Sequence, residues 1–322
     1  MNIVFLGSGQ FAIESLNALL DSMHNLQLII TQPAQPAGRG RKNRLTPVAA
    51  WAEGKAVPCI EAENINNDRL IERIRQFEPD VVVVAAFGQI IGNDLIALPR
   101  KAIINIHASL LPKYRGAGPI NWAIINGENK TGVSIITVVK KMDAGDILAQ
   151  KETDIEPDET AGQLHDKLAE IAAPLLLETL NQIGAGTATY TPQDHSKATF
   201  APKLKKSDGF LDFVEPAEVL QRKIRGFWPW PGASATYLSK KTKKPQRVTI
   251  ATARVVAAAN QTGRPPGTLD SNLNVTCGQG SLKITQIKPA GSPLMSFDAF
   301  VNGRLTQTGD TFIRITDKQE HA

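Results

Sequence analysis

The sequence predicts an α/β protein: a Rossmann-like, doubly wound and mostly parallel sheet domain, followed by a small OB-like β-barrel domain. Three observations carry that prediction. Through about residue 150, continuous apolar, β-branched runs alternate with helical patterns, as in strands buried on both faces by crossover helices. Beyond Ser207 the apolar runs are short and separated by Gly, Pro and Asn, which is how a small barrel reads. Between them, residues 186–206 show no sustained periodicity and end in lysines, as an interdomain linker does. The expected partition is 1–185, a linker over 186–206, and 207–322.

Each element has its own signal. NIVFLG (2–7), LQLIIT (26–31), DVVVVAAF (80–87) and AIINIH (102–107) read as buried parallel strands. Helical patterns lie between them: Gln10 to Leu20, a helix opened by Thr46 and Pro47, and Asn67 to Phe77. Thr before Pro places an N-cap ahead of a first-turn proline. TGVSIITVV (131–139) and ILAQKETDI (147–155) form a strand pair. A long helix follows, with Thr160 and Gln163 as a capping box and Leu164, Leu168, Ile171, Leu175 and Ile183 as its apolar stripe. Pro174 inside that pattern predicts a kink. In the last third come a helix over 216–224 and an aromatic turn. There Trp228 and Trp230, flanked by Pro229 and Pro231, are expected to pack the barrel against the linker.

Composition narrows the function. The 322 residues are 42% hydrophobic and 21% charged, ample for two cores. No run reaches the ~20 apolar residues of a membrane span, and MNIVFLGSG opens as a strand without the basic start of a signal peptide. Cys59 and Cys277 lack local partners, which fits a reducing compartment and a cytoplasmic location. The net charge of +5 is uneven: residues 197–254 carry 13 Lys and Arg against 4 Asp and Glu. A basic middle on an otherwise mildly acidic chain points to a polyanionic partner, or to a solvated lysine-rich surface.

Gly7-Ser8-Gly9-Gln10-Phe11-Ala12 fits the dinucleotide fingerprint G-x-G-x-x-G/A. That chemistry also needs an acid about 20 residues on, to hold a ribose hydroxyl. The second strand ends Ile30-Thr31-Gln32-Pro33, without one. A tight turn joining strand to helix is the expected role.

The chemistry concentrates in Asn105-Ile106-His107-Ala108-Ser109-Leu110-Leu111-Pro112, running off a predicted strand. Residues two apart on a strand face the same way, so Asn105 and His107 project together: an amide donor beside a proton-transfer group. A histidine at a strand end also serves structurally. PKYRGAGPI (112–120) suits a ligand-covering loop, and Met142-Asp143-Ala144-Gly145-Asp146 puts carboxylates in a tight turn, where Asp also does turn chemistry. His24, His165, His195 and His321 lack metal-ligand spacing and read as surface or structural; no metal is expected.

NIHASLLPKYRGAGPI, with the later MDAGDIL, resembles the signature of the 10-formyltetrahydrofolate-dependent formyltransferases. TQPAQPAGRGRK (31–42), IRGFWPWPGA (224–233) and KPAGSPLMSFDAFVNG (288–303) extend the likeness to members whose acceptor is initiator methionyl-tRNA. The resemblance implies a catalytic trio of Asn105, His107 and Asp143. It implies folate contacts at Phe87, Gly88, Gln89 and Ile90, and at Ser109, Leu110, Leu111 and Pro112. It implies that Arg39 reads the acceptor end of the tRNA. Arg41, Lys42 and Arg44 crowd the same loop, and Lys203, Lys205 and Lys206 begin a basic stretch that would track phosphates. The donor would be 10-formyltetrahydrofolate, with no protein partner and no membrane. The chain departs from the family pattern at Ser8-Gly9-Gln10-Phe11, where Thr-Pro-x-Phe is usual, at Phe87 for a common Tyr, and at Gly92-Asn93 for Pro-Lys. These bear on contacts rather than on the trio.

Three other readings remain. A formyltransferase acting on a small-molecule amine is disfavoured by the Arg39 loop and the basic second domain. A non-catalytic RNA-binding protein on the same fold is disfavoured by the intact trio. A nicotinamide-dependent dehydrogenase lacks its ribose-binding acid.

Overall fold

The structure is a computed structural model that describes residues 1–37, 42–256 and 263–316. The chain forms two compact units. One comprises Met1–Pro119, Lys130–Asp154 and Leu164–Pro202; the other comprises Ile120–Asn129, Ile155–Gln163 and Lys203–Ala322. This division differs from a partition at 185 and 207: two short segments of the first half belong to the second unit. The expected linker, as far as Pro202, belongs to the first. Its backbone is the reason, because Thr191 and Ile147 exchange two hydrogen bonds and Ala201 N donates to Arg115 O at 2.7 Å.

The first unit begins with β1 (Asn2–Gly7), a single 3-10 turn, α1 (Ile13–Leu20) and β2 (Asn25–Thr31). A small hairpin, β3 (Gln35–Ala37) and β4 (Lys42–Arg44), precedes α2 (Pro47–Ala52), β5 (Cys59–Glu61) and α3 (Asp68–Arg75). Then come β6 (Val81–Ala85), α4 (Asn93–Ile96), β7 (Ala102–His107), β8 (Lys130–Thr137), β9 (Ile147–Asp154) and, from Leu164, α6 (Ala161–Ala185); α5 (Pro119–Ile125), between β7 and β8, belongs but for Pro119 to the second unit. The hairpin, β5 and α5 carry too few residues or too much Gly and Pro to be read from periodicity.

The caps form as the sequence dictates. Thr46 Oγ1 accepts from Ala49 N at 3.0 Å, and Asn67 Oδ1 accepts from Arg69 N at 3.1 Å. Thr160 N donates to Gln163 Oε1 at 3.0 Å, and Gln163 N donates back to Thr160 Oγ1 at 3.4 Å. Each such cap contributes roughly 0.5–2 kcal/mol. The buried stripe of α6 is Leu164, Leu168, Ala172, Leu176, Leu180 and Ile183; Leu175 sits one residue off it, half-buried.

Seven strands lie in the order β5-β2-β1-β6-β7-β8-β9. The first five are mutually parallel, while β8 runs antiparallel to both β7 and β9. Val4, Leu6, Leu28, Ile30, Val82, Val84 and Ile103 share one core with Ile74 of α3 and Leu95 of α4. The alternate residues Ile3, Phe5, Ile29, Val81, Val83 and Ile104 are buried as well. Both faces are therefore covered, and each such side chain contributes about 1.5–3 kcal/mol. Strand order reverses between β1 and β6, and sheets of this kind take ligands beyond their strands' carboxyl ends at such a point.

The second unit adds α7 (Ala217–Phe227), β10 (Ala233–Leu238), β11 (Pro245–Val256), β12 (Val275–Thr276), β13 (Ser281–Pro289), β14 (Met295–Ser296), α8 (Phe297–Arg304) and β15 (Thr311–Ile313). Its antiparallel sheet is ordered β12-β13-β11-β10-β15, with β14 on β13. Residues 267–269 bond to both end strands: Phe312 N donates to Gly267 O at 2.7 Å, and Gly267 N to Thr276 O at 2.8 Å. The sheet is thereby nearly closed into a barrel, which removes its open edges. Gly267, at φ 84°, is required there, since a Cβ would lie 2.2 Å from Phe312 O. The barrel core holds Leu220, Ile224 and Phe227 of α7, Phe297 and Phe300 of α8, and the inward residues of β10, β11 and β13. Trp230, 54% exposed, does not pack as expected; two prolines hold it in a turn at the surface. Among the described residues no helix is long and apolar enough to cross a membrane.

Candidate active site

Asn105 and His107 lie on the same side of the last residues of β7, which pair with Ile136 and Ser134 of β8. The turn between β8 and β9 brings Asp143 to both. Asp143 Oδ1 is 3.5 Å from Asn105 Nδ2, and Oδ2 is 3.7 Å from His107 Nδ1. Oδ2 also accepts from Gly116 N at 2.8 Å. His107 Nε2 is 2.9 Å from Tyr114 O; a carbonyl only accepts, so Nε2 carries the hydrogen and Nδ1 faces the carboxylate. One Asn105 hydrogen is turned to Asp143, and among the described residues the other has no partner.

The surrounding backbone is unusual. Tyr114, Asp143 and Ala86 occupy φ of 62°, 49° and 45°, a left-handed region that side chains with a Cβ rarely adopt. Such conformations persist only where neighbours hold them, and they gather at functional sites. Gly145 cannot be replaced, because a Cβ would meet Thr137 O at 1.9 Å.

The segment 109–112 is locked from within. Ser134 Oγ donates to Ser109 O at 2.6 Å, and Leu111 N donates to Ser134 Oγ at 3.0 Å. Gln150 Nε2 donates to Leu111 O at 3.0 Å. The side chains of Ser109 and Leu111 are buried, whereas Leu110 and Pro112 are partly exposed. Phe87 is buried, Gly88 and Ile90 are exposed, and Gln89 is half-buried, donating to Ala62 O at 2.8 Å. That loop is tied to the strand tips by Gln32 Nε2, which donates to Phe87 O at 2.9 Å, and by Ser8 Oγ, which does so at 3.2 Å. Ser8 and Phe87, two departures from the family pattern, thus contact each other.

The glycine fingerprint is a turn. Ser8 N and Gly9 N both donate to Ala86 O, at 3.2 and 3.1 Å. Amides that would cradle a pyrophosphate are therefore occupied by the neighbouring strand.

Of the basic candidates, Arg39 and Arg41 lie outside the described residues, as does the side chain of Lys42; Arg44 is exposed on β4. Lys203, Lys205 and Lys206 are exposed in the second unit. His165 stacks edge-on with Phe11, their ring centroids 5.6 Å apart. His24, whose imidazole is held below its ordinary value mainly by burial and then by the amino terminus, lies away from the trio in sequence and hydrogen bonding. His321 lies outside the described residues.

Periodicity gave no hint of a second layer. Gln193 Nε2 donates to Asp143 O at 2.9 Å and to Gly145 O at 2.7 Å. Arg115 Nη2 donates to Gln193 Oε1 at 2.5 Å and to Nδ1 of His195 at 2.9 Å. His195 is thus part of this network rather than a surface residue alone.

Residues 1–180 match the family described as formyl transferase, and residues 203–305 match formyl transferase, C-terminal domain. This chain belongs to the formyl transferase family. Among its relatives, the methionyl-tRNA formyltransferase of Thermotoga maritima is 41% identical over 318 residues, covering 98% of this chain and 99% of the relative. That of Geobacter metallireducens is 38% identical over 312 residues, covering 96% and 97%. Solved formyl transferase folds superpose at low identity. HypX from Aquifex aeolicus, in complex with tetrahydrofolic acid, gives a TM-score of 0.64 at 17% identity, over 96% of this chain but 48% of that one. WlaRD, a sugar 3N-formyl transferase, gives 0.63 at 15% identity, over 91% and 99%. At these identities the likeness is one of fold.

Proposed function

We propose that this formyl transferase moves the formyl group of 10-formyltetrahydrofolate to the α-amino group of initiator methionyl-tRNA, giving the N-formylmethionyl-tRNA used to begin translation. The observation that carries the proposal is the meeting of an amide, an imidazole and a carboxylate at the end of β7. The named relatives, alike over nearly the whole chain, support the choice of acceptor.

The neutral amine attacks the formyl carbon, and negative charge develops on the formyl oxygen. The free hydrogen of Asn105 Nδ2 donates to that oxygen, a role worth roughly 3–4 kcal/mol. Because His107 Nε2 is committed to Tyr114 O, the ring works through Nδ1 together with Asp143. This pair takes the proton that the amine loses and returns one to N10 of the departing folate as the C–N10 bond breaks. Arg39 and its basic neighbours meet the acceptor end, and Lys203, Lys205 and Lys206 meet phosphates, so binding weakens as salt rises.

The test mixes the protein and 10-formyltetrahydrofolate with methionyl-tRNA charged on initiator or elongator tRNA, and identifies which amino ends become blocked. Preferential blocking of the initiator species is expected. Formylation of small amines alone, or of no amine at all, would overturn the proposal.

A further inference from the structure

We infer that Gln193, held by Arg115, is a positioning residue for formyl transfer: it fixes the backbone of Asp143 so that the carboxylate stays turned to Asn105 and His107. The inference rests on the function proposed above and concerns the segment after α6, which the sequence offers only as a linker.

Gln193 is 6% exposed, and each of its hydrogen-bonding groups is engaged. Its amide nitrogen has two hydrogens, and both go to the Asp143 turn, one to Asp143 O at 2.9 Å and one to Gly145 O at 2.7 Å. Its oxygen accepts from Arg115 Nε at 3.2 Å and Nη2 at 2.5 Å. Arg115 is 2% exposed, and among the described residues its side-chain partners are an amide oxygen and a ring nitrogen. Burying a guanidinium against neutral acceptors is costly, more so than packing alone would warrant.

The arrangement is a closed ring. Arg115 holds Gln193, Gln193 holds the carbonyl of Asp143, and the Asp143 carboxylate accepts from Gly116, the residue after Arg115. Asp143 is thus gripped at its carbonyl by Gln193 and at its carboxylate by Gly116, which sustains its left-handed φ of 49° and fixes the direction of its side chain. The strap carrying Gln193 is itself anchored: Thr191 N donates to Ile147 O at 2.9 Å, and Arg115 N donates to Thr199 O at 2.9 Å. Position 193 needs a side chain that accepts from a guanidinium and donates to two carbonyls. Glutamine meets that need. Glutamate keeps the first ability and loses the second, and methionine of similar volume loses both.

The test compares full-length wild-type, Gln193→Glu and Gln193→Met proteins by formylation kinetics, with a urea midpoint for each. Misplacement of a reacting group by an ångström costs on the order of 10²-fold. We expect kcat to fall about 10- to 100-fold in both variants, with KM for donor and acceptor each within about threefold. Gln193→Glu keeps an acceptor for Arg115 and turns that contact into an ion pair, so it should be slow while folded, a combination that a packing role would not give. If Gln193→Glu does not fold, Gln193→Met decides. A folded variant with kcat within about twofold of wild type, or a loss confined to KM, overturns the inference. A wild-type chain that transfers no formyl group is a different result: it removes the functional proposal, and this inference with it.

Discussion

Two carboxylates, Asp143 in the first unit and Asp310 in the second, set the proposed chemical use of this group against a structural one. Asp310 is fully buried and well supplied with donors. Tyr237 Oη donates to its Oδ2 at 2.5 Å, Gln307 N to the same oxygen at 3.0 Å, and Lys240 N to Oδ1 at 2.8 Å. Asp143 is 13% exposed, with one short hydrogen bond, from Gly116 N, and two looser neighbours at 3.5 and 3.7 Å. A fully buried carboxylate held by three short hydrogen bonds serves the fold. A carboxylate whose backbone is clamped while its oxygens are loosely engaged can exchange partners during a reaction.

The largest effect should follow from Asp143→Asn. It preserves shape and most hydrogen bonding but removes the charge beside His107, and general acid–base groups contribute roughly 10²–10⁴-fold. We expect kcat to fall about 10³-fold or more, with folate and tRNA affinities little changed. Near-normal single-turnover rates would mean that Asp143 is as structural as Asp310. Next comes Asn105→Ala, which removes the proposed oxyanion donor and should cost roughly 3–4 kcal/mol in kcat/KM. An effect confined to stability, read by urea unfolding, would exclude Asn105 from the chemistry.

The same contrast explains what the sequence could reveal. Strands β1, β2, β6 and β7 declare themselves because they are buried on both faces and hence uniformly apolar. The caps at Thr46 and Thr160 declare themselves because capping is local chemistry. The pairing of Asn105 with His107 follows from the two-residue period of a strand, but the approach of Asp143, 38 residues on, came only from resemblance. Nothing local marks Gln193, whose partners lie 48 and 50 residues away in sequence. In the barrel, α8 does have a signal in its Ser296 cap, which accepts from Ala299 N at 3.2 Å. The spacing of Phe297 and Phe300, both in the core, is a second. The two-residue strand before it and the Gly-rich context hid both.

A smaller effect is expected from Asp310→Ala. It strands the Tyr237 hydroxyl and two backbone N–H groups, and each unsatisfied buried group costs about 1–3 kcal/mol. Three such groups at the low end of that range give an expected loss of about 3 kcal/mol in urea unfolding. Activity per folded molecule should be unchanged. A fall in kcat without a loss of stability would reverse the roles assigned to the two carboxylates.

The smallest effect belongs to Tyr237→Phe, and it sharpens the contrast most finely. A phenol has a single hydrogen, so with that hydrogen given to Asp310, Thr306, 3.0 Å away, donates in return. Removing the hydroxyl leaves Asp310 its two backbone donors and should cost about 1–2 kcal/mol at neutral pH. Burial first, and the neighbouring carboxylate next, push the Tyr237 hydroxyl up to about 12. The unfolded chain therefore releases this proton near pH 10 while the folded chain keeps it. In that window the unfolded state binds fewer protons, so stability falls as pH rises. The tyrosine's advantage over phenylalanine should be whole below pH 10 and shrink between pH 10 and about 12. A difference between the two proteins that stays constant across that range would show that the phenol is not held by a buried carboxylate.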